Sequence, residues 1–254
     1  MRYIVKLSYC GESFCGWQRQ PNAPSVQEAL EHALSTLLGG EISVVGAGRT
    51  DTGVSAVGYI AHFEAPTGLD ASKLCYKLNA ILPKSIVVHE VREVSDEFHA
   101  RFGATRREYT YFLHRSKDPF ADGWSYLYAY PNLDFEAMNK AAELLLGTHD
   151  FACFEKTGSD NKTSICTIYE AAWHPYQPTH CQVLGYPGEY YYFRVSADRF
   201  LRNMVRAIVG TLLEVGRGKR TPESIADLLD STATRSAAGE SVPGHALFLS
   251  RIDY

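Results

Sequence analysis

Tyr3, Val5 and Leu7 recur at every second position, the period of a half-buried strand, and predict one over Arg2 to Ser8. A helix is expected next at Val26 to Leu38. Ser25 with Glu28 three residues on forms a capping box that satisfies N–H groups otherwise left without partners, and Gly39-Gly40 supplies a left-handed stop. Strands near Ile42 to Val45 and Gly58 to Phe63, a helix from the Asp70 cap to about Ala80, and a strand from Ile86 to Val94 complete a β-α-β-β-α-β series. The order then recurs. A strand at Arg107 to Leu113 leads to a helix from the Asp134 cap to Leu146, with Gly147 behind it. Strands near Ile165 to Trp173 and Tyr190 to Val195 follow, then a long helix from about Phe200 to Val215. A short extra helix is expected at Thr221-Pro222, with proline at the first helical position, where its missing N–H costs nothing. A last strand is predicted near Leu247 to Ile252.

Two related β-α-β-β-α-β halves define an α+β fold, mainly antiparallel, with helices collected on one side and the other sheet faces free to line a central cleft. The boundary is expected near Ser95 to Thr105, giving an N-terminal half over 1–100 and a C-terminal half over 101–254.

Composition narrows the picture. The chain has 254 residues, 45% of them hydrophobic, enough to bury a sizeable core and too apolar for a disordered chain. It begins at once in a strand pattern and has no run of eighteen apolar residues, which argues against a leader and a membrane-spanning helix. Cys10, Cys15, Cys75, Cys153, Cys166 and Cys181 contain no Cys-x-x-Cys pair and no zinc-type spacing; they read as reduced thiols of a cytoplasmic protein, with no metal site expected.

A net charge of −4 weighs against a nucleic-acid partner, but local distribution matters more. From Arg194 to Arg220 there are seven basic residues against two acidic ones, and a second basic run from Arg101 to Lys117 includes Arg106 and Arg107. Two solvated faces and two phosphate-binding surfaces are both compatible with that pattern.

The segment Gly46-Ala47-Gly48-Arg49-Thr50-Asp51-Thr52-Gly53 has the look of a phosphate loop, and two tests reject it. A dinucleotide fingerprint needs glycine where Asp51 stands, and a carboxylate there would repel phosphate. A triphosphate loop needs lysine where Val54 stands. Flanking glycines instead suit a tight loop that presents Asp51 and Arg49, although an Asx-turn closed by the aspartate itself is the plainer alternative. Tyr109 shares a strand face with Tyr111 and Leu113 and can be core. Arg202 and Arg206, four apart along the edge of the apolar stripe of the long helix, can snorkel to water or form a half-buried ion pair. His149 and Asp150 lack a partner cluster and read as structural.

Gly48-Arg49-Thr50-Asp51-Thr52-Gly53-Val54-Ser55-Ala56 resembles the signature of the TruA family of tRNA pseudouridine synthases. Further blocks are similar to it in order: Lys77 to Ala80 with Leu82-Pro83, Phe98 to Phe102, Arg107 to Tyr111, Gly147 to Phe151, Met204 to Gly210, and Ala238 to Pro243. Val242 and His245 depart from the usual pattern. The resemblance implies two α+β halves sharing a continuous sheet, with the active site between them. It implies isomerisation of uridine to pseudouridine on the distal side of the tRNA anticodon stem-loop, by a homodimer without a cofactor. It assigns Asp51 as the catalytic nucleophile, Arg206 as an ion-pair partner that orients it, and Tyr109 as a contact to the target base. Arg49 and Arg101, with Arg106, Arg107 and Arg202 behind them, are the expected RNA contacts. Two readings from other classes share parts of the pattern: a catalytically inactive protein of two RRM-like units, which lacks the aromatic consensus of that fold, and a small-molecule hydrolase, which leaves the basic runs without a purpose.

Overall fold

In the computed structural model, residues 1–158, 161–230 and 232–254 are described. The chain forms two compact units, Met1–Arg106 with Phe248–Tyr254, and Arg107–Leu247.

The first unit contains β1 (Arg2–Tyr9), α1 (Val26–Leu38), β2 (Val44–Gly46), β3 (Ser55–Glu64), α2 (Ala71–Ile81) and β4 (Ile86–Val94). Strand β1 lies between β4 and β3, antiparallel to both. Strand β2 pairs antiparallel with the far end of β3, Val44 opposite Phe63. The last strand of the chain, β10 (Leu247–Asp253), runs parallel to the near end, Phe248 opposite Ser55. The caps form as their residue types dictate. Ser25 Oγ accepts the Glu28 N–H at 3.2 Å, Asp70 Oδ1 accepts that of Lys73 at 2.9 Å, and Gly39 ends α1 at φ 76°. Helix α1 buries Val26, Leu30, Ala33 and Leu34, a stripe at helical spacing. Asn79 of α2 then acts as a strand substitute: its amide donates to Val88 O at 2.7 Å and accepts the Val88 N–H at 2.8 Å, which satisfies part of the edge of β4.

The second unit contains most of β5 (Arg106–His114), then β6 (Tyr126–Leu127), α3 (Phe135–Glu143), β7 (Gly147–Asp150), β8 (Ile165–Tyr176), α4 (Thr179–Leu184), β9 (Tyr190–Ala197), α5 (Met204–Gly216) and α6 (Ser224–Leu228). Strand β9 is antiparallel to β5 and β8, and β7 is antiparallel to β8. The pairing of first strand with third and third with second, β1-β3-β2 in the first unit, therefore repeats as β5-β9-β8. The α+β class and the duplicated order expected from the sequence are present.

Some boundaries differ from expectation for local reasons. Helix α5 begins at Met204 instead of Phe200, because Asn203 takes a left-handed φ of 65°, which a continuous helix does not allow. Arg202 thus precedes the helix. Helix α3 ends at Glu143, and Gly147, at φ 95°, opens β7. Pro222 lies ahead of α6, which begins at Ser224. Within α5 eleven of thirteen residues are buried, so it is a core helix; Arg206 and Glu214 are its partly exposed positions.

Candidate active site

The loop carrying Asp51 connects β2 to β3, and the segment after β1 folds against it. Gly16 has φ 95°, and a Cβ there would stand 2.2 Å from Thr50 O. At Gly11 a Cβ would stand 2.3 Å from Val54 O. Such approaches are open to glycine alone. The contact is fixed by hydrogen bonds: Trp17 N–H to Thr50 O at 3.4 Å, Gly53 N–H to Phe14 O at 3.3 Å, and Gly11 N–H to Ser55 Oγ at 3.0 Å.

Aromatic side chains hold the loop from the core side. The Tyr59 hydroxyl donates to Gly48 O and accepts the Gly48 N–H at 3.1 Å. Tyr9 OH and Thr50 Oγ1 are 2.9 Å apart, with Thr50 buried. Trp17 stacks on Tyr59 at 4.2 Å between ring centroids, and a Cβ on Gly46 would strike both rings. The turn itself is closed by main chain, Val54 N–H to Asp51 O at 3.1 Å. The Gly53 N–H that an Asx-turn would use goes to Phe14 instead. Half-buried Asp51 is therefore carried on a backbone clamped at Gly48, Thr50, Gly53 and Val54, while Arg49 is exposed.

Sequence reasoning singled out Asp51 and did not see the residues that support its loop, Tyr9, Gly11, Gly16, Trp17 and Tyr59. A usable signal was present: two glycines five apart, directly after a strand that ends in tyrosine.

In the second unit, Tyr109 on β5 is buried, and Phe200 meets its ring edge-on at 5.1 Å and 90°. Arg206 is half-buried on α5. Its Nε donates to Val242 O at 2.7 Å, and the Val242 N–H donates to Arg206 O at 3.3 Å. Tyr111 OH donates to the neighbouring Pro243 O at 3.1 Å, and burial pushes its phenol above the usual range. The strap from Ala238 to Pro243 lies on α5 through glycine contact: a Cβ on Gly210 would be 1.7 Å from Glu240 O, and one on Gly239 would be 2.8 Å from Thr211 N. Thr211 Oγ1 accepts the Gly239 N–H at 2.9 Å. The sequence blocks Met204 to Gly210 and Ala238 to Pro243 are thus the two sides of one contact. Val242 meets Arg206 through main-chain atoms, so its departure from the usual residue leaves that contact intact.

The remaining basic candidates differ in exposure. Arg101 and Arg202 are exposed, the former with its guanidinium 5.5 Å from the Phe102 ring centroid. Arg106 and Arg107 are half-buried, and Arg107 Nη1 donates to Asp198 O at 2.9 Å. His149 Nε2 meets Leu146 O at 2.7 Å and Asp150 Oδ1 accepts the Ala152 N–H at 3.0 Å, local bonds of a structural kind.

Among the described residues one cluster has donor atoms close enough for a metal, Asp118, His180 and Cys181, all within 4.8 Å. Hydrogen bonds account for it. Asp118 Oδ2 accepts from Tyr190 OH at 2.7 Å and meets His180 Nε2 at 2.7 Å, and Oδ1 accepts the Phe120 N–H at 2.9 Å. Burial pushes the Asp118 carboxyl up, and those bonds outweigh it and hold it below its ordinary value.

The structure is thus an α+β fold in which the loop carrying Asp51 is clamped in the first unit and Arg206 lies under the Ala238 to Pro243 strap in the second. The family model described as tRNA pseudouridine synthase matches residues 7–103 and 141–254. Over its whole length the chain is 47% identical to tRNA pseudouridine synthase A of Porphyromonas gingivalis, covering 97% of that protein. It is 46% identical to the protein of that name from Bacteroides thetaiotaomicron, covering 90%, and 40% identical to that of Bacillus licheniformis, covering 99%. The chain belongs to the tRNA pseudouridine synthase family.

Proposed function

We propose that this protein isomerises uridine to pseudouridine in tRNA with Asp51 as its catalytic carboxylate. The observation that carries the reading is the clamped Asp51 loop in a chain of this family. The reaction breaks the N1–C1′ bond, turns the freed uracil in place and joins C5 to C1′. Redox state and net composition are unchanged, so no nicotinamide, flavin or triphosphate is required. One carboxylate suffices to attack a carbon centre or assist loss of the base, provided that water is excluded and the uracil retained. A glycosidase, by contrast, uses a second carboxylate so that water can complete the cleavage.

In this reading Arg206 pairs with Asp51, keeping it ionised and oriented. The Nε bond to Val242 O supports that role because it fixes the plane of the guanidinium fork. Tyr109 stacks against the extruded base, which has lost its own stacking partners; the Phe200 edge that holds the ring supports this. Exposed Arg49, Arg101 and Arg202 contact RNA phosphates, with Arg106 and Arg107 at the periphery. The Asp51 loop belongs to the first unit and Tyr109 and Arg206 to the second. The target uridines lie in the anticodon stem-loop, and the protein works as a cytoplasmic homodimer. Among the described residues no helix is long and apolar enough to cross a membrane, and the family's substrate supports the compartment.

The test is tritium release from tRNA transcripts labelled at uracil C5, since that hydrogen leaves when C5 joins C1′. Wild type should release tritium from the anticodon stem-loop, and Asp51→Asn should release none while retaining RNA binding. Retained turnover in Asp51→Asn would remove the carboxylate from the mechanism, and no release by folded wild type would favour the inactive RNA-binding reading.

A further inference from the structure

The segment Phe98 to Phe102, one of the blocks similar to the family, forms a turn after β4 within the first unit. Hydrogen bonds fix it along its length. Arg2 Nη1 donates to Phe98 O at 2.7 Å. Ala100 is buried; its N–H donates to His62 Nδ1 at 3.1 Å and its O accepts from Tyr254 OH at 2.8 Å. Gly103 N–H donates to His99 O at 2.8 Å, and a Cβ on Gly103 would stand 2.9 Å from that oxygen. His99 Nδ1 accepts the N–H groups of Arg101 and Phe102, each at 3.2 Å, which sets the plane of the imidazole and leaves the proton of the neutral ring on Nε2.

This rigid turn holds an apolar ring in water: Phe102 is 77% exposed. His99 backs it, with 4.4 Å between ring centroids and 33° between planes, and the Arg101 guanidinium stands 5.5 Å from the Phe102 centroid. A lone exposed apolar side chain is ordinary on a protein surface. A ring on a fixed turn, backed by an imidazole and flanked by a guanidinium, has the composition of a stacking platform. Unstacked nucleobases are recognised by such rings and by arginine planes, and a platform that is already ordered loses little entropy when it is covered.

We propose that Phe102, with His99 behind it and Arg101 beside it, stacks an unpaired base of the RNA substrate other than the target uridine. Strand β3 begins at Ser55, directly behind the Asp51 loop, and His62, which holds Ala100, lies seven residues further on, about 23 Å along a strand. A base on Phe102 is therefore not the one presented to Asp51. RNA is favoured over an apolar protein partner by charge: the run from Arg101 to Lys117 has five basic residues against one acidic. The choice of RNA rests on the tRNA-directed reading above.

Stacking needs a base and a flat partner, whereas phosphate contact needs neither. The test compares two single-stranded RNAs of equal length, long enough to span that distance: oligouridylate, and the same backbone with abasic residues. Each is titrated into the whole protein as wild type, Phe102→Leu and Phe102→Trp, with melting curves to confirm folding. Leucine keeps the apolar character and loses the ring; tryptophan keeps a ring. Phe102→Leu should bind oligouridylate roughly fivefold to fiftyfold more weakly than wild type does, with affinity for the abasic RNA unaltered, and Phe102→Trp should bind both at least as well as wild type. Unaltered affinity of Phe102→Leu for both RNAs would overturn the proposal. So would equal losses on both, which stacking cannot produce, or a change confined to the sedimentation of the protein, which would give Phe102 to a protein contact. Folded wild type that binds neither RNA would overturn the tRNA-directed reading as well. Binding is read without turnover, so failure of the catalytic reading alone shows as absent tritium release in a protein that still discriminates the two RNAs through Phe102.

Discussion

Gly16 and Gly39 separate the two reasons why a glycine can be indispensable. Both have left-handed φ, 95° and 76°, but a Cβ on Gly39 meets nothing within 4 Å whereas one on Gly16 meets Thr50 O at 2.2 Å. Alanine at Gly39 carries backbone strain alone, about 1 kcal/mol, remote from the Asp51 loop. Alanine at Gly16 must also push the loop backbone next to Asp51. With Asp51 in its proposed catalytic role, we expect Gly16→Ala to lower kcat on the order of a hundredfold, the penalty of displacing such a group by about 1 Å, while Gly39→Ala lowers stability with turnover unaltered. Wild-type turnover in folded Gly16→Ala would show that the loop does not need this support. At this scale the sequence was half legible. A charge among glycines excludes phosphate binding but leaves Asp51 open between an Asx-turn and a presented carboxylate, and its assignment came with the resemblance of Gly48 to Ala56. Gly16 could not be read, because its partner, Thr50 O, lies thirty-four residues away in sequence.

The starts of helices with side-chain caps were legible to within a residue or two. Helices α1 and α2 begin behind Ser25 and Asp70, whose oxygens bond the third N–H onward, as their types dictate. Helix α5 begins behind Asn203 without a side-chain cap, and its start was placed four residues early because the apolar stripe runs back through Leu201 and Phe200. Strands β6 and β7 and helix α4, two, four and six residues long, are too short for a period to register. Helix α5 also shows what its one inner arginine does. The planar Nε bond to Val242 O ties the helix to the C-terminal strap, and a lysine ammonium has no fork to reproduce it. Arg206→Lys should therefore lose at least about tenfold in kcat, with RNA affinity changed much less, as the proposed role of orienting Asp51 requires. A variant that loses RNA affinity and keeps kcat would reassign Arg206 to substrate binding.

For the whole molecule, acid is the informative stress. The net charge at pH 7 is a modest −4, so mild acidification brings little self-repulsion and exposes the groups that folding buries. His62, on β3, accepts the Ala100 N–H at Nδ1 over 3.1 Å. A proton on that nitrogen would turn the acceptor into a donor. Burial, then the charges of Arg2 and His99, bring its pKa from 6.5 down to about 4. Burial likewise lowers His114 in the second unit. Between pH 6.5 and 4 the unfolded chain binds protons that the folded chain refuses, so stability is full above about pH 6.5 and falls as pH drops toward 4. Asp118, held below its ordinary value by Tyr190, Phe120 and His180, adds a further loss only at more acid pH, below the unfolded carboxylate value of 3.8. One His62-sized proton uptake corresponds to a slope of up to about 1.4 kcal/mol per pH unit. Urea unfolding from pH 7.5 to 5 should therefore show falling stability in wild type and a shallower fall in His62→Gln, whose amide oxygen can still accept the Ala100 N–H. Parallel profiles for the two proteins would mean that His62 takes up its proton equally well folded and unfolded, and the acid sensitivity would then belong to His114 or to groups outside this network.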